Sequence, residues 1–139
     1  MSDYEDLKYE EKNGVAKIII NRPDKMNAFR AETCEELLHA LNRAGWNNDI
    51  GVVVLGGAGD RAFCTGGDQS SHGEGDESGY GGRGTIGLPI EDVQSIIRDI
   101  PKPVICRVQG YAIGGGNVLA TLCDFTIASE KAVFGQVGP

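Results

Sequence analysis

The sequence has few of the residues from which proteins build metal and redox sites. Among its 139 residues are two histidines and four cysteines, and no two cysteines have the spacing of a C-x-x-C motif. A zinc site or a redox-active dithiol is therefore not expected, and no metal is predicted. The cysteines are predicted to be reduced thiols of the core; they are Cys34, Cys64, Cys106 and Cys123.

Positive charge and long apolar runs are also scarce. The 13 lysines and arginines are outnumbered by 20 acidic residues, which leaves a net charge of −7 and argues against binding to a nucleic-acid backbone. No window reaches the roughly 18 apolar residues of a membrane span, and residues 1–6 are acidic, unlike the basic start of a signal peptide. The chain is predicted to be one small cytoplasmic domain without nucleic-acid or membrane partners.

Glycine, by contrast, is abundant, with 21 residues, roughly double the average share of about 7%. Gly66-Gly67 follows the apolar segment 62–64, and Gly114-Gly115-Gly116 joins an apolar strand at 103–108 to a helical pattern. Backbone N–H groups at a helix start lack partners and suit a negative ligand. A single glycine turn is also explained by close packing of a strand against a helix. Two such turns can each direct a backbone N–H group at one oxygen that gains negative charge.

Hydrophobic spacing predicts the first half of the fold. Asn13-Gly14 marks the turn of a β-hairpin, and the apolar spacing over 31–44 predicts an amphipathic helix. Residues 52–55 are uniformly apolar and predict a buried strand after a parallel crossover. Gly56 to Gly59 could suggest a dinucleotide-binding turn, but no apolar helix follows it, so that interpretation is rejected.

The second half of the chain begins with a long polar segment. Residues 66–89 hold nine glycines and no apolar pattern, so they are predicted to be either a substrate loop or disordered. A helix is predicted over 90–100, a strand over 124–128 and an extended end over 133–139.

Three cations lie near the end of the hairpin, at Arg22, Lys25 and Arg30. They are explained either by a solvated loop or by a cation cluster that binds phosphate groups. The residues alone leave both explanations open.

Several short segments together resemble the crotonase (enoyl-CoA hydratase/isomerase) superfamily along nearly the whole chain, from Tyr4 to Pro139. The resemblance implies an α/β fold with the crotonase-type ββα spiral core, in a protein that binds acyl-coenzyme A thioesters. The segments are Asn21-Arg22-Pro23, Asn27-Ala28-Phe29, Ala62-Phe63-Cys64-Thr65-Gly66-Gly67-Asp68, Pro101-Lys102-Pro103-Val104, Gly110-Tyr111-Ala112-Ile113-Gly114-Gly115-Gly116, Cys123-Asp124 and Phe134-Gly135-Gln136.

The same resemblance implies a site. The thioester oxygen is expected to accept hydrogen bonds from the backbone N–H groups of Gly67 and Gly115. Coenzyme A enters as part of the substrate, and no tightly bound cofactor is implied. The residues expected to bind the coenzyme A thioester are Arg22, Lys25, Ala28, Ala62, Phe63, Gly66, Asp68 and Gln69.

Two departures from the family pattern restrict the reaction. Hydratases of this family carry two glutamates that add water to a double bond, at the positions of Val118 and Gly138 here. Neither valine nor glycine can move a proton. Simple enoyl-CoA hydration is therefore not expected.

The motifs Gly-Gly-Asp-Gln and Phe-Gly-Gln-Val-Gly-Pro resemble the branch that contains 1,4-dihydroxy-2-naphthoyl-CoA synthase and 2-ketocyclohexanecarboxyl-CoA hydrolase. The synthase pattern continues with Lys-x-Arg, whereas this chain has Ser70-Ser71-His72. The resemblance thus favours the hydrolase of anaerobic benzoate degradation, which opens the ring of 2-oxocyclohexane-1-carboxyl-CoA to give pimeloyl-CoA. The synthase and a non-catalytic acyl-CoA-binding module remain alternatives.

Further roles follow from the long loop and the chain end. Tyr80 is predicted either to hydrogen-bond the substrate oxygen or to pack, and His72 either to orient water or to be exposed. Asp68 is predicted to fix its turn rather than to titrate in catalysis. Bicarbonate near Gln136 and Gly138 is a further candidate ligand.

Family members continue beyond the position of Pro139, and the Ser-x-Asp pair that this branch uses lies just past it. The chain is therefore expected to be an N-terminal fragment that lacks the C-terminal half of the core. Alone, it is expected to be inactive and to leave an apolar face uncovered. The full-length protein is expected to form a homotrimer or hexamer.

Overall fold

The computed structural model describes residues 4–68 and 89–136, which form eight strands, three α-helices and one short 3-10 helix at Pro23–Lys25. The α-helices are α1 (Ala31–Gly45), α2 (Ile90–Asp99) and α3 (Gly115–Leu122). The strands are β1 (Leu7–Lys12), β2 (Val15–Ile20), β3 (Val52–Gly57), β4 (Ala62–Cys64), β5 (Val104–Val108), β6 (Tyr111–Ile113), β7 (Phe125–Ala128) and β8 (Val133–Gly135).

The strands form two sheets. A five-stranded sheet has the order β1-β2-β3-β5-β7, and a three-stranded sheet has the order β4-β6-β8. Only the β1–β2 hairpin is antiparallel; the other pairs of named strands are parallel. An isolated parallel bridge between Phe29 and Gly67 adds one more pairing beside the end of β4.

A repeating unit explains this topology. A strand of the larger sheet is followed by a short strand of the smaller sheet and then by a helix, as in β3-β4-α2 and β5-β6-α3. The segment from β2 through the bridge at Phe29 to α1 has the same order, and β7-β8 begins another unit. Successive units therefore stack their strands in parallel, which is the predicted ββα spiral.

The helices pack on the two sheets and on one another. The apolar stripe of α1 places Cys34, Leu37, Ala40, Leu41 and Ala44 in the core, where all five are 0% exposed. It packs on β1, β2, β3 and α2, while α3 packs on α2, β4, β5 and β6. Burial of these apolar side chains supplies most of the stabilisation of each unit.

Most elements agree with the sequence predictions, including the hairpin, the three helices and the parallel crossover. The hairpin turn takes positive φ angles at Asn13 (54°) and Gly14 (81°), as an Asn-Gly turn requires. The predicted end of β3 was wrong, because Gly56 and Gly57 belong to the strand and are buried. The strand β6 was also missed, since three residues carry too little alternation to be recognised.

Exposed apolar side chains concentrate at the last strands. Phe125 and Ile127 of β7 are 64% and 62% exposed, and Val133 and Phe134 of β8 are 48% and 45% exposed. These residues give the described part of the chain the uncovered apolar face that the sequence predicted. All four cysteines are buried and free, as predicted.

Candidate active site

The two glycine turns meet. The first runs from Gly66 to Gly67 after β4, and the second from Gly114 to Gly116 at the start of α3. A Cβ atom placed on Gly66 would lie 3.2 Å from the backbone nitrogen of Gly115 and 3.4 Å from the carbonyl oxygen of Ile113. The backbones of the two turns are therefore in van der Waals contact, as the sequence predicted for the two donors of one site.

Glycine is also required at position 116, by close packing, and at position 66, by the backbone angle. A Cβ atom on Gly116 would lie 1.9 Å from the carbonyl oxygen of Cys64, so the first turn of α3 rests directly on the end of β4. Gly66 has φ +96°, a conformation that side chains rarely adopt. The glycines are thus required both by close approach and by backbone geometry.

Strand geometry sets the direction of the Gly67 amide. Phe29 donates its N–H to the carbonyl oxygen of Gly66 (2.8 Å) and accepts from the N–H of Asp68 (2.8 Å). Gly67 lies between Gly66 and Asp68. In a parallel pair, such a middle residue points its own N–H and C=O away from the partner strand. The Gly67 amide therefore faces away from Phe29, on the side where β6 and the second glycine turn lie.

The second predicted donor, the Gly115 amide, is at the start of α3. Gly115 is the first residue of the helix, so its N–H has no partner within the helix and lies at the positive end of the helix dipole. The turn is fixed on either side, because the Gly114 N–H donates to the Gly135 carbonyl (2.9 Å) and the Val118 N–H donates to the Gly114 carbonyl (3.0 Å).

Phe29 lies beneath both turns. Its ring is 1% exposed, and its Cζ atom would be 2.8 Å from a Cβ atom on Gly115. The same residue pairs through its backbone with Gly66 and Asp68. Phe29 thus positions one turn by hydrogen bonds and the other by packing.

The Arg22 side chain joins the first turn to the hairpin. Its Nη2 atom lies 3.0 Å from Oδ2 of Asp68, and its Nη1 donates to the Ala28 carbonyl at 2.5 Å. Asp68 is 8% exposed, and its side chain is fixed by this ion pair. This contact ties the turn that carries Asp68 to Arg22; that Asp68 takes no part in proton transfer stays a prediction.

Asp6 forms a second carboxylate centre beside Arg22. It accepts two hydrogen bonds from Arg30 (both 2.9 Å) and one from Thr33 Oγ1 (2.5 Å), and Arg22 Nε lies 4.0 Å away. Two of the three cations considered as a phosphate-binding cluster, Arg22 and Arg30, therefore pair with carboxylates, and phosphate binding by the cluster stays a prediction. Carboxylates neutralise Arg22 and Arg30, and Lys25 alone of the three is an exposed residue outside these pairs.

The pKa of Asp6 reflects this network. Burial alone would raise it, but hydrogen bonds from Arg30 and Thr33 and the charges of Arg30 and Arg22 outweigh burial and hold the pKa below its ordinary value. The folded state therefore favours the ionised carboxylate. Its contribution to stability is complete above the pKa of the unfolded chain, near 3.9, and is lost as the pH falls through the lower folded pKa.

We expect Asp6→Asn to lower the free energy of unfolding at pH 7 by about 2 kcal/mol, less than for a fully buried pair because Arg30 is partly exposed. Urea unfolding of wild type and variant between pH 7 and pH 3 measures the difference, which should be constant above about pH 5 and shrink as the pH falls below the unfolded value near 3.9. Asp24→Asn, at an exposed carboxylate of the 3-10 helix, is the control and should have little effect. A difference for Asp6→Asn that does not change with pH would contradict the assignment.

Two carboxamides, those of the buried Asn27 and the half-buried Gln109, hold β4, and no sequence pattern indicated this role. Asn27 Nδ2 donates to the carbonyls of Ala58 (3.0 Å) and Ala62 (2.9 Å), and its Oδ1 accepts from the Arg22 N–H (2.8 Å). Gln109 Nε2 donates to the carbonyls of Gly57, Gly59 and Ala62 at 2.8 to 3.0 Å. The bonds that these two carboxamides donate join residues 31 to 52 positions apart in the sequence, so no local pattern reveals them.

The remaining predicted residues have different surroundings. Ala28, Ala62 and Phe63 are 7%, 2% and 0% exposed. Phe63 was predicted to contact coenzyme A, but its side chain belongs to the core and offers no surface to a ligand.

Gln69, His72, Tyr80 and Gly138 lie outside the described residues. Gln136 accepts a hydrogen bond from Asn117 Nδ2 (3.2 Å), beside the second glycine turn.

Cys64 lies under the first turn but is not suited to be a nucleophile. Burial raises the pKa of its thiol to about 12, so the thiol is protonated at neutral pH.

Within residues 4–68 and 89–136, no group of three His, Cys, Asp or Glu side chains could hold a metal ion. None of the helices in those ranges is long and apolar enough to span a membrane.

Comparison with known proteins agrees with the fold. The sequence profile of the enoyl-CoA hydratase/isomerase family matches residues 10–139. An enoyl-CoA hydratase/isomerase from Xanthobacter autotrophicus Py2 is 34% identical with a TM-score of 0.86, over 96% of this chain and 49% of that one. An enoyl-CoA hydratase from Bacillus anthracis is 32% identical with a TM-score of 0.86, over 95% of this chain and 50% of that one.

An enoyl-CoA hydratase from Mycobacterium avium subsp. paratuberculosis K-10 is similarly related, at 32% identity and a TM-score of 0.81, over 96% of this chain and 51% of that one. The chain thus spans about half the length of the solved structures it matches, and its spiral is part of the crotonase fold that they contain. With a profile match over nearly all of its residues and a shared fold at this level of identity, the chain belongs to the enoyl-CoA hydratase/isomerase family.

Proposed function

We propose that this chain supplies the thioester-binding centre of an acyl-CoA enzyme, with the backbone amides of Gly67 and Gly115 as donors to the thioester oxygen. The observation that carries the proposal is the contact between the two glycine turns through Gly66 and Gly115. Donors fixed by a folded backbone need no reorganisation when charge develops. Each one is worth about 100-fold to 1,000-fold in kcat in comparable sites.

The position of Val118 supports a reaction other than hydration. Val118 lies on α3, three residues after the proposed donor Gly115, where hydratases of the family have a glutamate. A valine cannot donate or accept a proton. The proposed site therefore stabilises an anion without a proton-transferring side chain at this position.

The proposed reaction is hydrolytic ring opening of 2-oxocyclohexane-1-carboxyl-CoA. Water adds to the ring ketone and loses a proton, and the bond between the former ketone carbon and the ring carbon next to the thioester breaks. The electron pair of that bond forms the thioester enolate, whose oxygen lies between the two amides. Protonation of the enolate carbon then gives pimeloyl-CoA, so that the net change is the addition of one water molecule.

Other groups are proposed to take part in the reaction from outside the two glycine turns. Tyr80 is proposed to hydrogen-bond a substrate oxygen and His72 to orient water. The acid or base that moves the protons is proposed to come from residues beyond Pro139. A bicarbonate ion near Gln136 and Gly138 and assembly into a homotrimer or hexamer also remain proposals.

A second candidate, 1,4-dihydroxy-2-naphthoyl-CoA synthase, is favoured by the motif Gly66-Gly67-Asp68-Gln69, which both enzymes of this branch share. It is disfavoured by Ser70-Ser71-His72, since these residues replace the cations expected for an aromatic carboxylate substrate. The two candidates need different substrates and are therefore separable by experiment.

We expect purified full-length protein to convert 2-oxocyclohexane-1-carboxyl-CoA to pimeloyl-CoA and to leave succinylbenzoyl-CoA unchanged. Mass spectrometry of the thioesters measures both reactions. Turnover of only the succinylbenzoyl thioester would replace the hydrolase by the synthase. Binding of both thioesters by calorimetry without turnover of either would instead indicate an acyl-CoA-binding module.

A further inference from the structure

Arg22 is fixed at both its backbone and its side chain. Its N–H donates to Asn27 Oδ1 (2.8 Å), and its carbonyl accepts from the Asn27 N–H (2.8 Å). Its guanidinium contacts the Asp68 carboxylate (3.0 Å) and the Ala28 carbonyl (2.5 Å), and its side chain is 13% exposed. An arginine held by separate partners at both Nη atoms has little freedom to turn towards a ligand.

Asp68 is the residue directly after the proposed donor Gly67, and it is held at two points. Its N–H donates to the Phe29 carbonyl (2.8 Å), and its carboxylate pairs with Arg22. Asp68 therefore anchors the peptide plane between Gly67 and Asp68, which adjoins, across the Gly67 Cα, the plane that carries the Gly67 N–H. The Gly66 carbonyl of that second plane is itself held by the Phe29 N–H (2.8 Å), so Asp68 and Phe29 together set the direction of the Gly67 amide.

The charges along this line alternate. Asp68, Arg22, Asp6 and Arg30 follow one another at 3.0, 4.0 and 2.9 Å. Glu5 and Glu32 also lie 4.0 and 3.7 Å from Arg30, so carboxylates outnumber guanidinium groups here and Arg22 adds no net positive charge to the cluster. The arrangement suits orientation of a neighbour, because an Arg–carboxylate pair fixes both direction and distance.

We propose that Arg22 is a positioning residue, which acts through Asp68 to hold the Gly67 amide on the thioester oxygen. The proposal rests on the proposed function, since it assumes that the Gly67 amide is a donor. A displacement of about 1 Å at a reacting group can cost about 100-fold in rate. Loss of Arg22 should therefore reduce the rate more than the affinity.

The first test compares kcat and KM. Arg22→Met should lower kcat by about 30-fold to 100-fold while KM changes less than about threefold. Arg22→Lys should recover part of the rate, because one ammonium can replace only one of the two contacts. Arg43→Met is the control, since Arg43 stacks on Tyr9 and pairs with Glu11 at the other end of α1, and its kcat should stay within about twofold.

The second test needs no turnover. Butyryl-CoA labelled with carbon-13 at the thioester carbonyl is bound to wild type and variants, and the carbonyl stretch is recorded by difference infrared spectroscopy. In wild type two donors should lower the frequency of the stretch. In Arg22→Met and Asp68→Asn at least half of that shift should be lost while the dissociation constant changes less than about threefold.

The outcomes separate the two proposals. A wild-type shift that survives in Arg22→Met and Asp68→Asn overturns the positioning role but leaves the donors in place. No shift in wild type overturns both. Parallel losses of affinity and rate, or the same losses in Arg43→Met, would indicate a general structural role. If Arg22→Met does not fold by circular dichroism, Arg22→Lys and Asp68→Asn decide the question.

Discussion

Gly115→Pro is expected to lower kcat by about 100-fold to 1,000-fold relative to Gly115→Ala. Both replacements add a Cβ atom at the same place, 2.8 Å from Cζ of Phe29, so both require the ring to shift. Only proline also removes the backbone N–H. Proline also places its Cδ atom where the amide hydrogen pointed, so the ratio between the two variants measures the loss of the donor together with the methylene that replaces it.

The backbone accommodates proline at this position. Gly115 is the first residue of α3, where the fixed φ of proline is already helical and its missing N–H interrupts no helical hydrogen bond. The preceding Gly114 has φ 58° and ψ −120°. These angles are the mirror image of the extended conformation that residues before proline prefer, and glycine adopts both equally well, so Gly114 can precede a proline. Thermal unfolding of both variants checks that they fold, and kcat is measured on the thioester that wild type converts. Equal kcat values for the two variants would exclude the Gly115 amide as a donor.

Gly116→Ala is expected to destabilise the protein by about 3 kcal/mol or more. The added Cβ atom would lie 1.9 Å from the carbonyl oxygen and 2.6 Å from the carbonyl carbon of Cys64. Both are buried backbone atoms, so relief requires α3 to move away from β4. This movement would separate the two glycine turns, and activity should be lost together with stability.

The measurement is chemical or thermal unfolding of Gly116→Ala beside Gly51→Ala. A Cβ atom on Gly51 would meet only the Gly14 carbonyl oxygen, at 3.9 Å. Because the site has room, the control should be neutral or stabilised by up to about 1 kcal/mol. If Gly116→Ala were as stable as Gly51→Ala, the close packing of α3 on β4 would be wrong.

Local patterns predicted the parts of the fold that local physics determines. The spacing of Leu37 and Leu41 marks the buried face of α1, and the Asn13-Gly14 turn sets the hairpin register. The glycine turns were recognisable because each interrupts an apolar segment with residues that have no side chain. The order of strands and helices then brought Gly66 and Gly115 together, as the paired donors of one site require.

The partners of the polar side chains were not predictable in this way. Arg22 and Arg30 were interpreted as candidates for phosphate, whereas the fold supplies Asp68 from 46 residues downstream and Asp6 from 24 residues upstream. The carboxamides of Asn27 and Gln109 converge on the Ala62 carbonyl from distant segments. Such contacts depend on tertiary structure, and a single sequence holds no periodic trace of them.

The family assignment and the proposed reaction rest on different residues. The profile match and the shared fold concern the spiral as a whole, whereas the proposed ring opening depends on Gly67, Gly115 and the valine at position 118. On the proposed function, a family member with both glycine turns and no glutamate on α3 keeps the two amides that would hold an enolate. It lacks one of the groups by which relatives add water to a double bond.

A crystal structure of the full-length protein with a non-reacting acyl-CoA bound is the most direct test of the two-turn site. The thioester oxygen should lie about 2.7–3.1 Å from the backbone nitrogens of both Gly67 and Gly115. An oxygen more than about 4 Å from either nitrogen, or a thioester bound elsewhere on the protein, would contradict the proposed function.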